Sequence, residues 1–525
     1  MPFLSISEKT AIWILAAICV AFLWNVYQYN FVSDDAFILL RYAKNFIHGE
    51  GLVFNTNERV EGFTSLLWVL LLSIFGKLHI DLLLSARFLG IVAGVITIIL
   101  TYLLSVNLNK AQGSSPSVII LLPPLMLALN GAFACWAGSG METTLFVCLI
   151  VGSFWALANR KLILSAALIS ASILARPEGI VMFGLFFFFL LIHARQNKIE
   201  DNVKKRWIGC LIGCVGVIVA LFLFRRLYFG EWFPNTFYAK TGGGWYQVVR
   251  GLKYFSEYAS DYEGLLVILA SVGFVIFFGD FKARCLACGV IAFWGVTIWE
   301  GGDGLPMYRF ALTPLPLLLV LQGMLIHRFY VRAIGLSTLA RSKIKYSLVL
   351  IALLWAITHL SKPIVGPHYA LYKYQKLVEI PRWTLVGKWF KENASQDESL
   401  ATAPIGAVSY YSDLKVYDIV GMTDKHIANL TMPNMGKGWA GHEKHDGQYI
   451  LSRKPTYLLL GNIDVTDKPR SLEQVPFIPY FSRHILERER DFYDTDLILK
   501  MYVPRSVEIA PQQYLNFYQL KEEYR

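Results

Sequence analysis

Apolar runs long enough to cross a bilayer recur through the first 360 residues, and they decide what this chain can fold into. A membrane helix needs about 20 mostly apolar residues to span a hydrocarbon core of about 30 Å. Runs of this kind cover 11–29, 82–106, 117–133, 142–158, 161–175, 178–194, 207–227, 263–279, 285–300, 310–326 and 346–360, with 64–79 a twelfth candidate. Backbone groups in lipid must be satisfied within their own segment, so the runs read as helices. No small-residue cleavage site follows the first run, which therefore reads as a retained helix rather than a signal peptide. The chain is predicted to be a polytopic α-helical membrane protein.

Charge sets the orientation. Of the 525 residues only 17% are charged, and the net charge of +11 comes largely from two inter-helix loops. One holds Lys198, Lys204, Lys205 and Arg206; the other holds Arg328, Arg332, Arg341, Lys343 and Lys345. Such loops face the cytoplasm by the positive-inside rule and are no nucleic-acid footprint. Counting from both ends reconciles only with an odd number of spans, and 64–79 is short and ends in Lys77 and His79. The reading is eleven to thirteen spans, eleven preferred, with the N-terminus inside and the C-terminal tail outside.

After residue 360 the long apolar runs stop. The expected division is a membrane domain at 1–360, with a first outer loop at 31–63, and a soluble domain at 361–525. A helix-like stretch at Trp383–Asn393, strand-like runs at 399–409 and 415–421, a helix near 446–453 and a strand at 456–461 give an α/β rhythm. All seven cysteines lie at or before residue 288, so the tail carries no disulfide framework. Cys285 and Cys288 have redox-motif spacing but sit in an apolar helix, and they read as packing.

The chemistry is expected at the outer ends of the helices. Asp34 and Asp35 stand side by side just outside the first span, where paired carboxylates repel and cost solvation energy. One aspartate would suffice as a helix cap, so the pair points to chemistry or to a cation. Residues 34–48 then form an amphipathic pattern, with Arg41, Lys44 and His48 between apolar positions, suited to the membrane interface. Arg176 lies between two apolar spans, which is costly unless it is paired, as with Glu178, or holds an anion. Arg309 at a helix start opposes the helix dipole, and two such arginines near helix N-termini suit a phosphate. Asp303 among glycines is either a turn residue or part of this face. In the tail, His442-Glu443-Lys444-His445 lacks the spacing of a zinc protease and reads as a solvated loop.

These residues resemble a known family. The runs Asp34-Asp35-Ala-Phe-Ile-Leu-Leu-Arg, His48-Gly-Glu-Gly-Leu-Val-Phe-Asn and Arg59-Val-Glu-Gly-Phe-Thr-Ser-Leu-Leu-Trp68 look like the first outer loop of GT-C fold glycosyltransferases. The nearest group is the mycobacterial terminal β-(1→2)-arabinofuranosyltransferases and their bacterial relatives. Ala175-Arg-Pro-Glu-Gly179, the run 301–310, Gly421-Met-Thr-Asp424-Lys-His426 and Gly441-His442-Glu443 fit as well. The resemblance implies a GT-C membrane domain with a C-terminal soluble α/β domain. It also implies an inverting transferase that takes a sugar, arabinofuranose among the choices, from a polyprenyl-phosphate donor. The acceptor is a cell-envelope glycan, lipid or protein at the outer face of the bacterial inner membrane, with the tail periplasmic. Asp34 or Asp35 would be the base, and Arg176, Arg309, Arg41 and Lys44 would hold the donor phosphate. Glu61, Glu142, Glu178, Asp303, Asp424, His426, His442 and Glu443 would contact sugar or acceptor. No cofactor or metal ligand set is assigned, and a divalent cation is left open. A transporter or flippase of lipid-linked sugars is the alternative, but it would place ionisable residues at mid-bilayer and show matching halves.

Overall fold

The computed structural model describes residues 6–110, 118–196, 200–262, 264–334, 366–470, 489–492 and 497–525, with scattered residues between 346 and 359. The expected span at 346–360 lies largely outside the described residues, as do Lys198, Arg341, Lys343 and Lys345. The chain divides into two compact units. The first comprises 1–31, 86–221 and 251–372; the second comprises 32–85, 222–250 and 373–525.

The first unit is helical. Among the described residues, four helices in the chain are long and apolar enough to cross a membrane: Glu8–Tyr29, Leu82–Asn109, Asp201–Tyr228 and Phe281–Trp299. Shorter apolar helices occupy Leu66–Lys77, Thr143–Ala158, Leu162–Ala175, Gly179–Arg195 and Leu315–Phe329. The 12-residue helix Leu66–Lys77 rises only about 18 Å, short of a full crossing. The run expected at 117–133 is broken: Val118–Leu129 and Gly131–Ala137 meet at 60°. The break has a local cause. Asn130 adopts extended backbone and accepts a hydrogen bond from Phe133 N on its side chain, capping a new helix. Packing here is tight and aromatic. Phe22 meets Phe133 at 5.5 Å and Phe31 meets Trp136 edge-on at 5.8 Å. A Cβ at Gly90 would lie 2.5 Å from the Ala137 carbonyl oxygen, so only glycine lets these helices approach.

The second unit is built on a six-stranded sheet with strands β1 Ser399–Thr402, β2 Lys415–Asp418, β3 Tyr457–Leu459, β4 Val465–Thr466, β5 Tyr502–Ala510 and β6 Gln513–Leu520. Their order is β2-β1-β3-β6-β4, with β5 paired to β6. β1 pairs in parallel with both β2 and β3, and its four residues are all buried, as a central parallel strand requires. β3, β4 and β5 all run antiparallel to β6. Ala401, Ile419, Ile427, Ile450, Leu458, Phe492 and Tyr518 form its core. The strand expected at 399–409 stops at Thr402, and a short helix, Ala407–Ser412, follows. The β5–β6 hairpin lies beyond the last element read from the sequence.

Candidate functional site

The two aspartates open the helix Asp34–Ile47, to which Ser33 contributes no side-chain cap. Every residue from Ala36 to Ala43 is buried, so the amphipathic pattern serves packing on all sides rather than one wet face. It packs on the helix Leu66–Lys77 and on the short helix Ala407–Ser412, and the second of these engages its charged groups. Gly406 N and Ala407 N donate to the Asp34 carboxylate at 3.0 and 2.8 Å. Two turns along the same helix face, Arg41 donates to the carbonyls of Ser409 and Leu414 at 2.7 and 2.6 Å, and to Phe54 O at 2.7 Å. An anion thus sits at the N-terminal end of the short helix and a cation at its C-terminal end, which matches its dipole. Between them Phe37 packs on Tyr410 and Tyr411, with centroids at 5.7 and 5.5 Å. Lys44 pairs with Asp413, which Lys391 also holds at 2.8 Å.

Asp34 is half-buried. Burial pushes its carboxyl up to about 7, the charge of Asp35 adds to the rise, and the two amide bonds oppose it. Burial likewise lowers Arg41 to about 10.

The rest of the segment 31–63 is tied down in the same unit. Asn55 donates to Val416 O and accepts from Val416 N, at 2.9 and 3.0 Å, acting as a partner for the edge strand β2. Tyr42 Oη donates to Val60 O at 2.6 Å and accepts from Gly62 N at 2.8 Å. Glu61 takes both its bonds from Arg225 Nε, at 2.9 and 3.0 Å, and burial pushes it up to about 7. Asn235 donates to the carbonyls of Gly421 and Met422 at 2.9 and 3.0 Å.

In the tail, Asp418 accepts from Thr423 N at 2.7 Å and Val420 N at 2.9 Å, and burial still raises it to about 6. Asp424 caps the turn at Ile427 and accepts from Tyr449 Oη at 3.0 Å. The Tyr449 ring stacks on His426 at 4.1 Å, and His426 pairs with Asp446 at 2.8 Å. Glu443 pairs with Arg250 at 2.8 Å, while His442 sits on the exposed side of the same loop.

In the first unit the two other arginines are brought together around one ring. The Arg176 and Arg309 guanidinium carbons lie 4.7 and 4.8 Å from the Phe310 centroid. Arg176 binds Glu178 at 2.6 Å and Glu142 at 3.1 Å. Arg309 holds Asp303 with two bonds of 2.8 and 3.0 Å. All five side chains are largely buried, and Glu142 Oε2 has no hydrogen-bond partner among the described residues. A small recess lined by Arg176, Glu178, Phe293, Thr297, Phe310 and Thr313 adjoins them. Three carboxylates against two guanidiniums leave the cluster with an excess of negative charge. A phosphate would have to displace a carboxylate to bind here. Among the described residues no group of three or more His, Cys, Asp or Glu side chains is placed to hold a metal ion.

Sequence reasoning did not single out Gly406, Arg225, Asp418 or Tyr449. Arg225 carried a usable signal, being an arginine inside the apolar run 207–227. Gly406 carried none, because its partner lies 372 residues away.

The fold has known counterparts. The structure of ArnT from Cupriavidus metallidurans bound to undecaprenyl phosphate superimposes with a TM-score of 0.55 at 11% identity, covering 82% of this chain and 89% of that one. The mycobacterial arabinofuranosyltransferase AftD superimposes with a TM-score of 0.51 at 14% identity, covering 99% of this chain and 40% of that one. In sequence the chain is 29% identical to the terminal β-(1→2)-arabinofuranosyltransferase of Mycobacterium tuberculosis over 288 residues, 50% of this chain and 43% of that protein. This chain therefore spans less than half the length of that curated relative. A family model described as a domain of unknown function (DUF8728) matches residues 369–510. The fold is that of the GT-C membrane glycosyltransferases, with a C-terminal sheet domain, in a multi-pass membrane protein. The resemblance to the arabinofuranosyltransferases stands.

The arginine cluster makes a stability prediction. Arg176→Ala leaves Glu142 and Glu178 buried without their cation and is expected to cost about 3–5 kcal/mol. Arg176→Lys keeps the charge but loses the fork, and should recover part of this. Thermal unfolding in detergent measures both, and an alanine variant as stable as the wild type contradicts the pairing as described.

Proposed function

We propose that the chain is an inverting glycosyltransferase. It moves a sugar, arabinofuranose being the first choice, from a polyprenyl-phosphate donor to a cell-envelope acceptor at the outer face of the inner membrane. The observation that carries this reading is the state of Asp34: half-buried, fixed by two amide donors and raised to about 7. A general base works best with a pKa near the working pH and a fixed direction. Each Asp34 oxygen spends one lone pair on an amide and keeps another for a substrate hydroxyl.

In the proposed step Asp34 takes the proton of the acceptor hydroxyl. The freed oxygen pair forms the new bond to the anomeric carbon, and the carbon–oxygen bond to the lipid phosphate breaks. The electron pair leaves with the polyprenyl phosphate. One displacement inverts the anomeric centre. Asp35 acts through its charge, holding Asp34 basic enough to take the proton. The donor class is supported by the fold shared with a protein solved with undecaprenyl phosphate, and the sugar by the curated relative. Arg176 and Arg309 are the proposed ligands of the donor phosphate, by exchange of carboxylate for phosphate. Arg41 and Lys44 are assigned to the hold on the tail instead. His426, Tyr449 and Asp446 form a partly exposed aromatic and carboxylate face suited to a sugar ring, and the acceptor side is proposed there, with Asp424, His442 and Glu443. Residues 1–360 are proposed as the membrane domain and 361–525 as periplasmic.

Purified protein incubated with a panel of polyprenyl-phosphate sugars is expected to release lipid phosphate in the presence of an acceptor glycan. Asp34→Asn should reduce the rate at least ~100-fold. Transfer should rise with pH through about 7, since the base works deprotonated; the charged groups facing Asp34 are Asp35 and Glu379. Asp35→Asn removes a like charge and should move that limb to lower pH. Full transfer by Asp34→Asn sinks the assignment, and uptake of lipid-linked sugar without release of lipid phosphate favours a transporter.

Orientation has its own test. A single cysteine placed in the cysteine-free tail should react with a membrane-impermeant thiol reagent in cells whose outer membrane alone is permeabilised. Labelling that requires breaking the inner membrane would reverse the topology.

A further inference from the structure

We infer that the corner Gly406–Ala407, far along the chain in its C-terminal part, is a positioning element of the proposed transferase, its two amides fixing the carboxylate of Asp34 for proton transfer. This rests on the reading of Asp34 as the base.

Three observations converge on the corner. The first is the bonding: one amide per carboxylate oxygen, at 3.0 and 2.8 Å, which fixes the plane of the group rather than one atom of it. The second is space. A Cβ built on Gly406 would lie 2.1 Å from the Asp34 carbonyl oxygen, 2.5 Å from its Cγ and 2.6 Å from its Oδ2. The backbone at 406 has φ −73°, which any residue adopts, so the need for glycine comes from the close approach of Asp34 alone. The third is the second anchor. Arg41 holds the carbonyl of Ser409, one of the last four of the same short helix, and that of Leu414 just past its end. Asp34 and Arg41 are seven residues apart, a rise of about 10 Å, and the six-residue helix Ala407–Ser412 is about 9 Å long. The two lengths match, so each charged group meets its own end of the dipole and the short helix cannot slide along the longer one.

A contact that only docked the tail would need no titratable group at its centre. Here the docking contact and the proposed base are the same carboxylate. The amides favour its charged form, while burial, Asp35 and Glu379 favour the neutral one. The corner therefore sets where the base points and the pH at which it is free to accept a proton. The chain segment beyond residue 373 becomes part of the catalytic apparatus rather than an appended domain.

The test uses the full-length protein and the lipid-phosphate release assay. Ala407 is the first residue of its helix, where proline is tolerated, so Ala407→Pro deletes one donor, and its ring Cδ takes the place of the N–H and presses on Asp34 Oδ1. It is expected to lower kcat by roughly tenfold and to move the acidic limb of kcat/KM up by about one pH unit. Ala407→Gly retains the amide and should keep the wild-type limb. Gly406→Ala should lose transfer by about 100-fold, because its Cβ displaces the carboxylate. It serves as the second probe if the proline variant does not fold. Corner variants with wild-type rate and pH limb, alongside an inactive Asp34→Asn, overturn the inference and leave the base assignment standing. An active Asp34→Asn overturns the base assignment first.

Discussion

One buried helix gripping both ends of another is the constraint on which the segment 31–63 depends. Asp34 and Arg41 lie two turns apart on the helix Asp34–Ile47 and bind the amides at 406–407 and the carbonyls at 409 and 414. Each charge meets the end of the short helix that its sign suits. Arg41 also binds Phe54 O, which draws the loop back over its own helix, and Asn55 then closes on the edge strand β2. Removing either charge would leave backbone groups or a partner charge buried without compensation, which costs more than the contact itself contributes. The loop is ordered because its polar groups have no better place to go.

How much of this could be read from the sequence follows the range of the interactions. The Asp34–Asp35 pair, the apolar runs and the strands at 399–402, 415–418 and 457–459 are local features, and the sequence displays them directly. The break at Asn130 was local as well: an asparagine inside an apolar run is a capping residue, and hydropathy alone hides it. The amphipathic pattern of 34–48 was visible, but what covers its polar side was not, because the covering helix begins at Ala407. The role of Gly406 is purely steric and belongs to a contact 372 residues apart in the chain. Arg41 and Lys44 are expected from the sequence to hold phosphate, but their partners include the carbonyls of Ser409 and Leu414 and the carboxylate of Asp413, 368 to 373 residues away in the chain.

The arginine cluster carries a related lesson about charge. Arg176 and Arg309 share Phe310 between them and are neutralised by Glu142, Glu178 and Asp303. Arginines at the ends of apolar helices are expensive, and buried carboxylates are the cheapest local compensation. The proposed binding of the donor phosphate rests on exchange of partners, since carboxylate and phosphate are both bidentate acceptors for a guanidinium fork. The unpartnered oxygen of Glu142 marks the side of the cluster with acceptor capacity to spare.

The central claim is that Asp34, held by the tail, removes a proton while lipid phosphate leaves in a single displacement. The most direct measurement is the anomeric configuration of the product formed from a polyprenyl-phosphate sugar of one defined anomer, read by NMR coupling constants. The account predicts complete inversion. Retention would require a glycosyl-enzyme intermediate on a carboxylate, and Asp34 would then be a nucleophile rather than a base.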